Sequence, residues 1–169
     1  MSKTEDFLTK AEEKEVIAAI QVAETNTSGE IRIHIEASSE KAHYERALEV
    51  FQLLEMNQTK DANGVLIYVA VKDHQFVICG DKGINDVVPE NFWDATKNVI
   101  QEHFKKGNFK QGIVAGILKA GAELQHHFPW QTDDENELSN EISKLVIIFL
   151  FLQILTTSKS LICLLSSLK

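Results

Sequence analysis

The chain has 169 residues, which suffices for one domain with its own core and is too short for two ordinary domains. Lysine and arginine total 17 against 25 aspartates and glutamates, and the resulting net charge of -8 argues against a nucleic-acid partner and favours cations as ligands. Two cysteines, Cys79 and Cys163, indicate neither a disulfide framework nor a thiolate metal site.

The chain starts with a polar stretch, residues 1–6, which has no apolar run and so predicts no secretory signal peptide and a cytoplasmic location. Thr9 and Glu12 then have the spacing of a capping box. Apolar residues follow at helical spacing, so we predict the first helix over residues 10–24.

A strand follows the polar residues 25–29, because three isoleucines alternate with Arg32, His34 and Glu36. This period of two predicts a strand whose polar face is less buried than its isoleucine face. Ser38 and Ser39 can cap a second helix, whose apolar stripe runs to about residue 56.

The next segment reads as a β-hairpin. The continuous apolar run Val65–Val71 is typical of a strand covered on both faces. Lys72–His74 predicts a tight turn, and Gln75–Cys79 returns as an antiparallel strand that ends at Gly80–Gly83.

Two helices are predicted after the hairpin. Asn85 and Asp86 can cap the first of them, Pro89 can restart it, and Gly107 lies just past its end. The last helix spans about residues 109–126.

The order of these elements predicts a layered α/β sandwich with a small mixed sheet, in which strands 1 and 2 are parallel and strand 3 is antiparallel. We assign the α/β domain to residues 1–130. Residues 131–143 are rich in acids and amides and predict a solvated linker, and residues 144–169 form an apolar tail.

The role of the tail stays open among three alternatives. Residues 145–155 are too short to cross a bilayer as a helix, and an extension to residue 168 includes a polar interruption with Lys159. The tail can be a membrane anchor over residues 145–168, a segment that packs on a partner, or an exposed stretch without function.

Oxygen-bearing side chains lie where three strands meet one edge of the sheet. Glu30 opens strand 1, Asp61 and Asn63 precede strand 2, and Asp81 follows strand 3, with Asp86 close behind. Ca²⁺ and Mg²⁺ prefer carboxylate, amide and carbonyl oxygens, so these five residues are candidate metal ligands. The same residue types are also common in turns and caps, so an ordinary structural role remains the alternative.

The histidines add no metal site to this prediction. His34, His43, His74 and His103 have no spacing that defines a metal-binding triad, and we expect them at the surface or in turns.

Four segments in this order resemble the TPM domain family. They are Ser28–Ile31, Asp61–Ile67, Gly80–Pro89 and Phe104–Ile113. The resemblance implies an α/β/α sandwich and a divalent-cation site at Glu30, Asp61, Asn63, Asp81 and Asp86. It also implies a contested acid-phosphatase activity in a thylakoid-lumen member, and roles in photosystem repair or receptor assembly elsewhere. Many relatives are exported and anchored in a membrane, whereas this sequence shows no export signal.

These observations favour a Ca²⁺- or Mg²⁺-binding regulatory or interaction module with an unidentified protein partner. The alternative is a weak metal-dependent acid phosphatase. A phosphatase needs positive groups to balance the phosphate, and Lys82 is the only cation within the candidate loops.

Overall fold

A computed structural model describes residues 7–132 and 134–144. Within these residues the chain forms five α-helices and four strands around one small sheet. In chain order they are α1 Lys10–Glu24, β1 Glu30–Glu36, α2 His43–Leu53, β2 Gly64–Ala70, β3 Gln75–Gly80, α3 Lys82–Asn85, α4 Asp94–Lys105, α5 Phe109–Leu124 and β4 Ser143–Lys144. A single 3-10 turn, Met56–Gln58, lies between α2 and β2.

The sheet has the strand order β3-β2-β1-β4. β1 and β2 are parallel, with Glu30 opposite Gly64, and β2 and β3 are antiparallel, with Val65 opposite Gly80. Both directions confirm the sequence prediction. The fourth strand, β4, pairs with β1 in parallel, and the sequence did not predict its position.

Helices cover both faces of the sheet, as the predicted α/β/α sandwich requires. The isoleucines of β1 and alternate residues of β2 pack with α1, α4 and α5 in the larger core. The opposite face of β2, which includes Leu66 and Tyr68, packs with α2 in a smaller core. β2 is buried over its whole length, as its continuous apolar run predicts.

Local signals fixed some element boundaries better than others. The capping box of Thr9 and Glu12 is present, and α1 has the predicted bounds. α2, however, begins at His43, because the backbone N–H of Ser39 donates to Asp73 and holds a loop instead of a helix start. After the hairpin, Asp81 caps a separate four-residue helix, α3, and α4 begins only at Asp94.

The polar face of β1 is less buried than the isoleucine face, as predicted, but only slightly, because Arg32 alone is partly exposed. His34, which contacts Ser143 of β4 and the ring of Tyr68, is 4% exposed, and Glu36, which Arg46 of α2 contacts, is 2% exposed, so His34 is not a surface histidine. Glu36 accepts hydrogen bonds from Nε and Nη2 of Arg46, each at 3.0 Å, and from the hydroxyl of Tyr68. The Nε2 atom of His34 lies 3.7 Å from the same carboxylate.

These contacts keep Glu36 ionised inside the protein. Burial acts to raise the pKa of Glu36, but the interactions with His34, Arg46 and Tyr68 outweigh it and lower the pKa to about 2. A buried charge is tolerated only when it is paired and hydrogen-bonded, so this cluster fixes α2 on the sheet.

Residues 131–143, predicted as a solvated linker, are mostly exposed but are also tied to the domain. Backbone N–H groups of Glu137 and Leu138 donate to Glu30, and Asn140 donates to Glu24. Ser143 then enters β4.

The predicted tail, residues 144–169, lies outside the described residues apart from Lys144. Across residues 7–132 and 134–144, none of the helices has the length and apolar character needed to span a bilayer.

Substitution Tyr68→Phe tests the buried cluster. Removing the hydroxyl deprives the Glu36 carboxylate of a donor, and we expect the free energy of unfolding to fall by about 1–3 kcal/mol in urea titrations. Tyr44→Phe is the matched control, because Tyr44 is 60% exposed, and it should change stability little. Equal losses in the two variants would contradict this role of Tyr68.

Candidate cation site

The ends of three strands meet at one edge of the sheet, as the sequence predicts. Glu30 lies opposite Gly64, and the backbone N–H of Asp81 donates to the carbonyl of Gly64 at 2.9 Å. Glu30, Gly64 and Asp81 therefore form one row across the sheet.

Met56 separates the two acids of this row. Their Cα atoms are two strand spacings, about 9.5 Å, apart, and both side chains lie on the α2 side of the sheet. A Cβ atom on Gly64 would lie 2.9 Å from the carbonyl oxygen of Met56, which is fully buried above that glycine. The backbone brings Glu30 and Asp81 to the same edge, while Met56 occupies the space between them.

Glu30 is engaged by the C-terminal segment. It is 5% exposed, and its Oε1 and Oε2 accept the N–H groups of Glu137 and Leu138 at 3.0 and 3.2 Å. Burial raises the pKa of this carboxyl, and the two backbone donors partly oppose that effect. In this arrangement Glu30 fastens residues 137–138 to the start of β1.

The turn before β2 holds Asp61 and Asn63 beside α3. Asn63 is 1% exposed; its Nδ2 donates to the carbonyl of Ser28 at 2.9 Å, and its Oδ1 is buried without a donor among the described residues. Asp61 is exposed. The backbone carbonyl oxygen of Asp61 would lie 2.2 Å from a Cβ atom on Gly83, so only glycine at position 83 lets the turn pack this closely on α3.

One carboxylate oxygen of Asp81 accepts a hydrogen bond, and the other has no hydrogen-bond partner among the described residues. Oδ1 accepts the N–H of Lys82 at 2.7 Å and caps α3. Oδ2 is buried, with no donor in the described part of the chain. Asp81 also lines a cavity of about 320 Å³ between α2 and α3.

Amide side chains supply the other oxygens of this cavity. Gln52, Asn57 and Asn85 line it with Asp81, and the Nδ2 of Asn85 donates to the carbonyl of Gly80 at 2.9 Å. Lys82 also lines the cavity and forms an ion pair with the fifth predicted ligand, Asp86.

Asp81 is the only carboxylate among the described residues that line this cavity. Carboxylate and amide oxygens are what Ca²⁺ and Mg²⁺ prefer, and Mg²⁺ retains several of its waters. In residues 7–132 and 134–144, no three histidine, cysteine, aspartate or glutamate side chains are grouped to hold an ion. Of the five predicted ligands, Asp81 lines the cavity, Asp86 pairs with Lys82 beside it, Asp61 and Asn63 lie in the adjoining turn, and Glu30 lies beyond Met56.

Sequence reasoning missed a second, partly buried carboxylate at this edge. Glu24 accepts the backbone N–H of Ile31 at 2.8 Å, and burial, helped by the charge of Glu30, raises its pKa to about 7. A signal was available, because Glu24 lies four residues after Ile20 and so shares the apolar face of α1. For Gln52 and Asn57 the sequence offers no such signal, since both read as ordinary polar residues.

The fold and this edge define a small α/β/α domain with a cavity at the strand ends, lined by Asp81, Lys82, amide side chains and the apolar residues Leu48 and Phe51. A family model described as the TPM domain matches residues 1–123, and the chain belongs to the TPM domain family.

Solved structures agree with this assignment. BA42, from the psychrophilic bacterium Bizionia argentinensis, is 61% identical with a TM-score of 0.81, covering 86% of this chain and 100% of its own. An N-terminal domain from P. gingivalis is 17% identical with a TM-score of 0.60, covering 72% of this chain and 79% of its own. The N-terminal domain of cg2496 from Corynebacterium glutamicum is 13% identical with a TM-score of 0.56, covering 82% of this chain and 80% of its own. The last two show the fold alone, and a search of curated proteins found no match.

Substitution Glu24→Gln tests the partly buried carboxylate of Glu24 through the pH dependence of stability. The pKa of Glu24 is about 7 in the folded chain and 4.5 for an unperturbed glutamate, which represents the unfolded chain. Between these pH values Glu24 is therefore protonated more fully in the folded state than in the unfolded state. Its contribution to stability therefore falls as the pH rises through that window. We expect the stability of the native chain relative to Glu24→Gln to fall by about 1–3 kcal/mol between pH 5 and pH 7.5 in urea titrations.

Glu15→Gln is the matched control for this experiment, since Glu15 lies on the same helix with a side chain that is 55% exposed. A stability difference for Glu24→Gln that does not vary with pH would contradict the assignment.

Proposed function

We propose that this domain binds a divalent cation, Ca²⁺ or Mg²⁺, in the cavity beside Asp81 and serves as a regulatory or interaction module. The observation that carries the proposal is the Oδ2 atom of Asp81, a buried carboxylate oxygen without a donor in the described part of the chain. A buried polar oxygen without a hydrogen-bond partner costs free energy, and a cation at the cavity would remove that cost.

Amide groups near Asp81 can add oxygen ligands for an ion. Gln52, Asn57 and Asn85 offer neutral amide oxygens, and water can complete the coordination shell. Asp61 and Asp86 add negative charge near the cavity, although Asp86 also pairs with Lys82. The acidic chain, with a net charge of -8, attracts cations in general.

A bound ion could regulate the domain by bridging α2 and α3. Gln52 belongs to α2 and Asn85 to α3, so an ion held by both would join elements that otherwise lie on either side of the cavity. Leu48 and Leu53 of α2 are 40% and 63% exposed, and they offer an apolar surface that a partner protein can contact.

The alternative, hydrolysis of a phosphate ester, ranks second. Catalysis of that kind needs positive charge placed against the phosphoryl oxygens. Lys82 is beside the cavity, but its ammonium group pairs with Asp86. A phosphate would have to compete with that carboxylate.

Metal titration of the Asp81→Asn variant tests the proposal. Asparagine keeps the capping oxygen of α3 and removes the charge, so folding should be preserved. We expect Ca²⁺ or Mg²⁺ to shift the backbone amide signals of Asn57, Asp81 and Lys82 saturably in the native chain. The variant should bind at least about tenfold more weakly, as expected for loss of about 1.4 kcal/mol.

Asp94→Asn is the control for removal of one exposed acid elsewhere, at the start of α4. It should bind like the native chain. Unchanged signals at millimolar metal, or equal weakening in both variants, would exclude a site at Asp81.

A further inference from the structure

A second cavity lies at the opposite edge of the sheet. Its volume is about 380 Å³, within the range of about 300–1,000 Å³ typical of sites for small organic ligands. It lies between α4 and the end of the β2–β3 hairpin, where Val69, Ala70 and Val71 contribute to its wall. β2 runs from the cation site to this cavity, a distance of about 20 Å for six residues.

Phenylalanine rings form the apolar side of this cavity. Phe7 contacts Phe109 with ring centroids 5.1 Å apart, Phe109 contacts Phe104 at 5.3 Å, and Phe104 contacts Phe76 at 5.5 Å. All four rings line the cavity and are only partly buried. This connected aromatic wall offers an apolar surface to a ligand.

Positive charge lies at the rim of the same cavity. Lys97, Gln101 and Lys105 follow one another at spacings of four residues along α4, so they share one face of the helix, and all three line the cavity. Both lysines are exposed, and neither forms an ion pair within residues 7–132 and 134–144. Lys41, Lys82 and Lys119, by contrast, each pair with a carboxylate.

We propose that this cavity binds a small amphipathic anion, namely an aliphatic carboxylate whose chain lies against the phenylalanines and whose head group lies between Lys97 and Lys105. The aromatic wall favours an apolar chain, and two free ammonium groups on an otherwise acidic protein select a negative head group. Gln101, between the lysines, can donate a further hydrogen bond to a carboxylate oxygen.

This inference does not depend on the cation site. No residue that lines the cavity beside Asp81 also lines this one. Loss of metal binding in Asp81→Asn therefore leaves the carboxylate site untouched, and either proposal can fail alone.

Titration of the full chain with decanoate, below its micelle concentration, tests the proposal by amide and aromatic NMR signals. We expect saturable shifts at Phe76, Gln101 and Phe104. The double substitution Lys97→Gln and Lys105→Gln should weaken decanoate binding about five- to tenfold, as expected for two solvent-exposed charges.

Two controls separate this site from general effects of charge and apolarity. Decanol lacks the anionic head, so its affinity should be lower than that of decanoate and insensitive to the double substitution. Lys106→Gln removes an exposed lysine of the same helix end that does not line the cavity, and it should leave decanoate binding unchanged.

Several results would overturn the proposal. These are the absence of saturable shifts, shifts centred elsewhere, and equal weakening by Lys106→Gln. Before ligand is added, nuclear Overhauser contacts from residues 145–152 to Phe104 would assign the cavity to the chain's own end. Concentration-dependent shifts of the same signals would assign it to a second copy.

Discussion

The register of β2 between its two neighbours determines where both candidate sites lie. β2 is parallel to β1 and antiparallel to β3, so Gly64 lies beside Glu30 on one side and Asp81 on the other. At its far end Ala70 lies opposite Gln75, which lines the second cavity. A slip of one residue would turn every side chain of this fully buried strand to the other face, so burial fixes the register strongly.

The buried polar residues of β1 connect this register to the cation site. Arg46 of α2 forms an ion pair with Glu36 of β1, and this contact fixes the helix that carries Gln52 to the cavity. Ser143 of β4 lies opposite His34 of β1, and its Oγ is 2.9 Å from Nδ1 of that histidine. The buried polar residues Glu36 and His34 thus attach α2 and the C-terminal segment to the sheet. The attachment of α2 in turn determines the geometry of the cavity between α2 and α3.

The sequence predicted features that depend on local periodicity and strand direction. α1 follows from its capping box and apolar spacing, and the β-hairpin follows from a continuous apolar run and a turn. The placement of Glu30 and Asp81 at one edge of the sheet follows from strand direction alone, whereas their separation by Met56 does not.

Features that depend on three-dimensional packing could not be predicted in this way. The amphipathic stripe of α2 does not reveal which sheet face it covers, so His34 and Glu36 were predicted to be too exposed. Likewise, nothing local indicates that Met56 lies above Gly64, or that residues 137–138 bond to Glu30.

Paramagnetic broadening by Mn²⁺, used in place of Ca²⁺ or Mg²⁺, tests most directly whether the ion sits beside Asp81. The account predicts that the amide signals of Asn57, Asp81 and Lys82 broaden first and most strongly. Signals of Glu137 and Leu138, whose N–H groups bond to Glu30 on the far side of Met56 from Asp81, should broaden later. Strongest broadening at residues 137–138, or uniform broadening over the acidic surface, would contradict it.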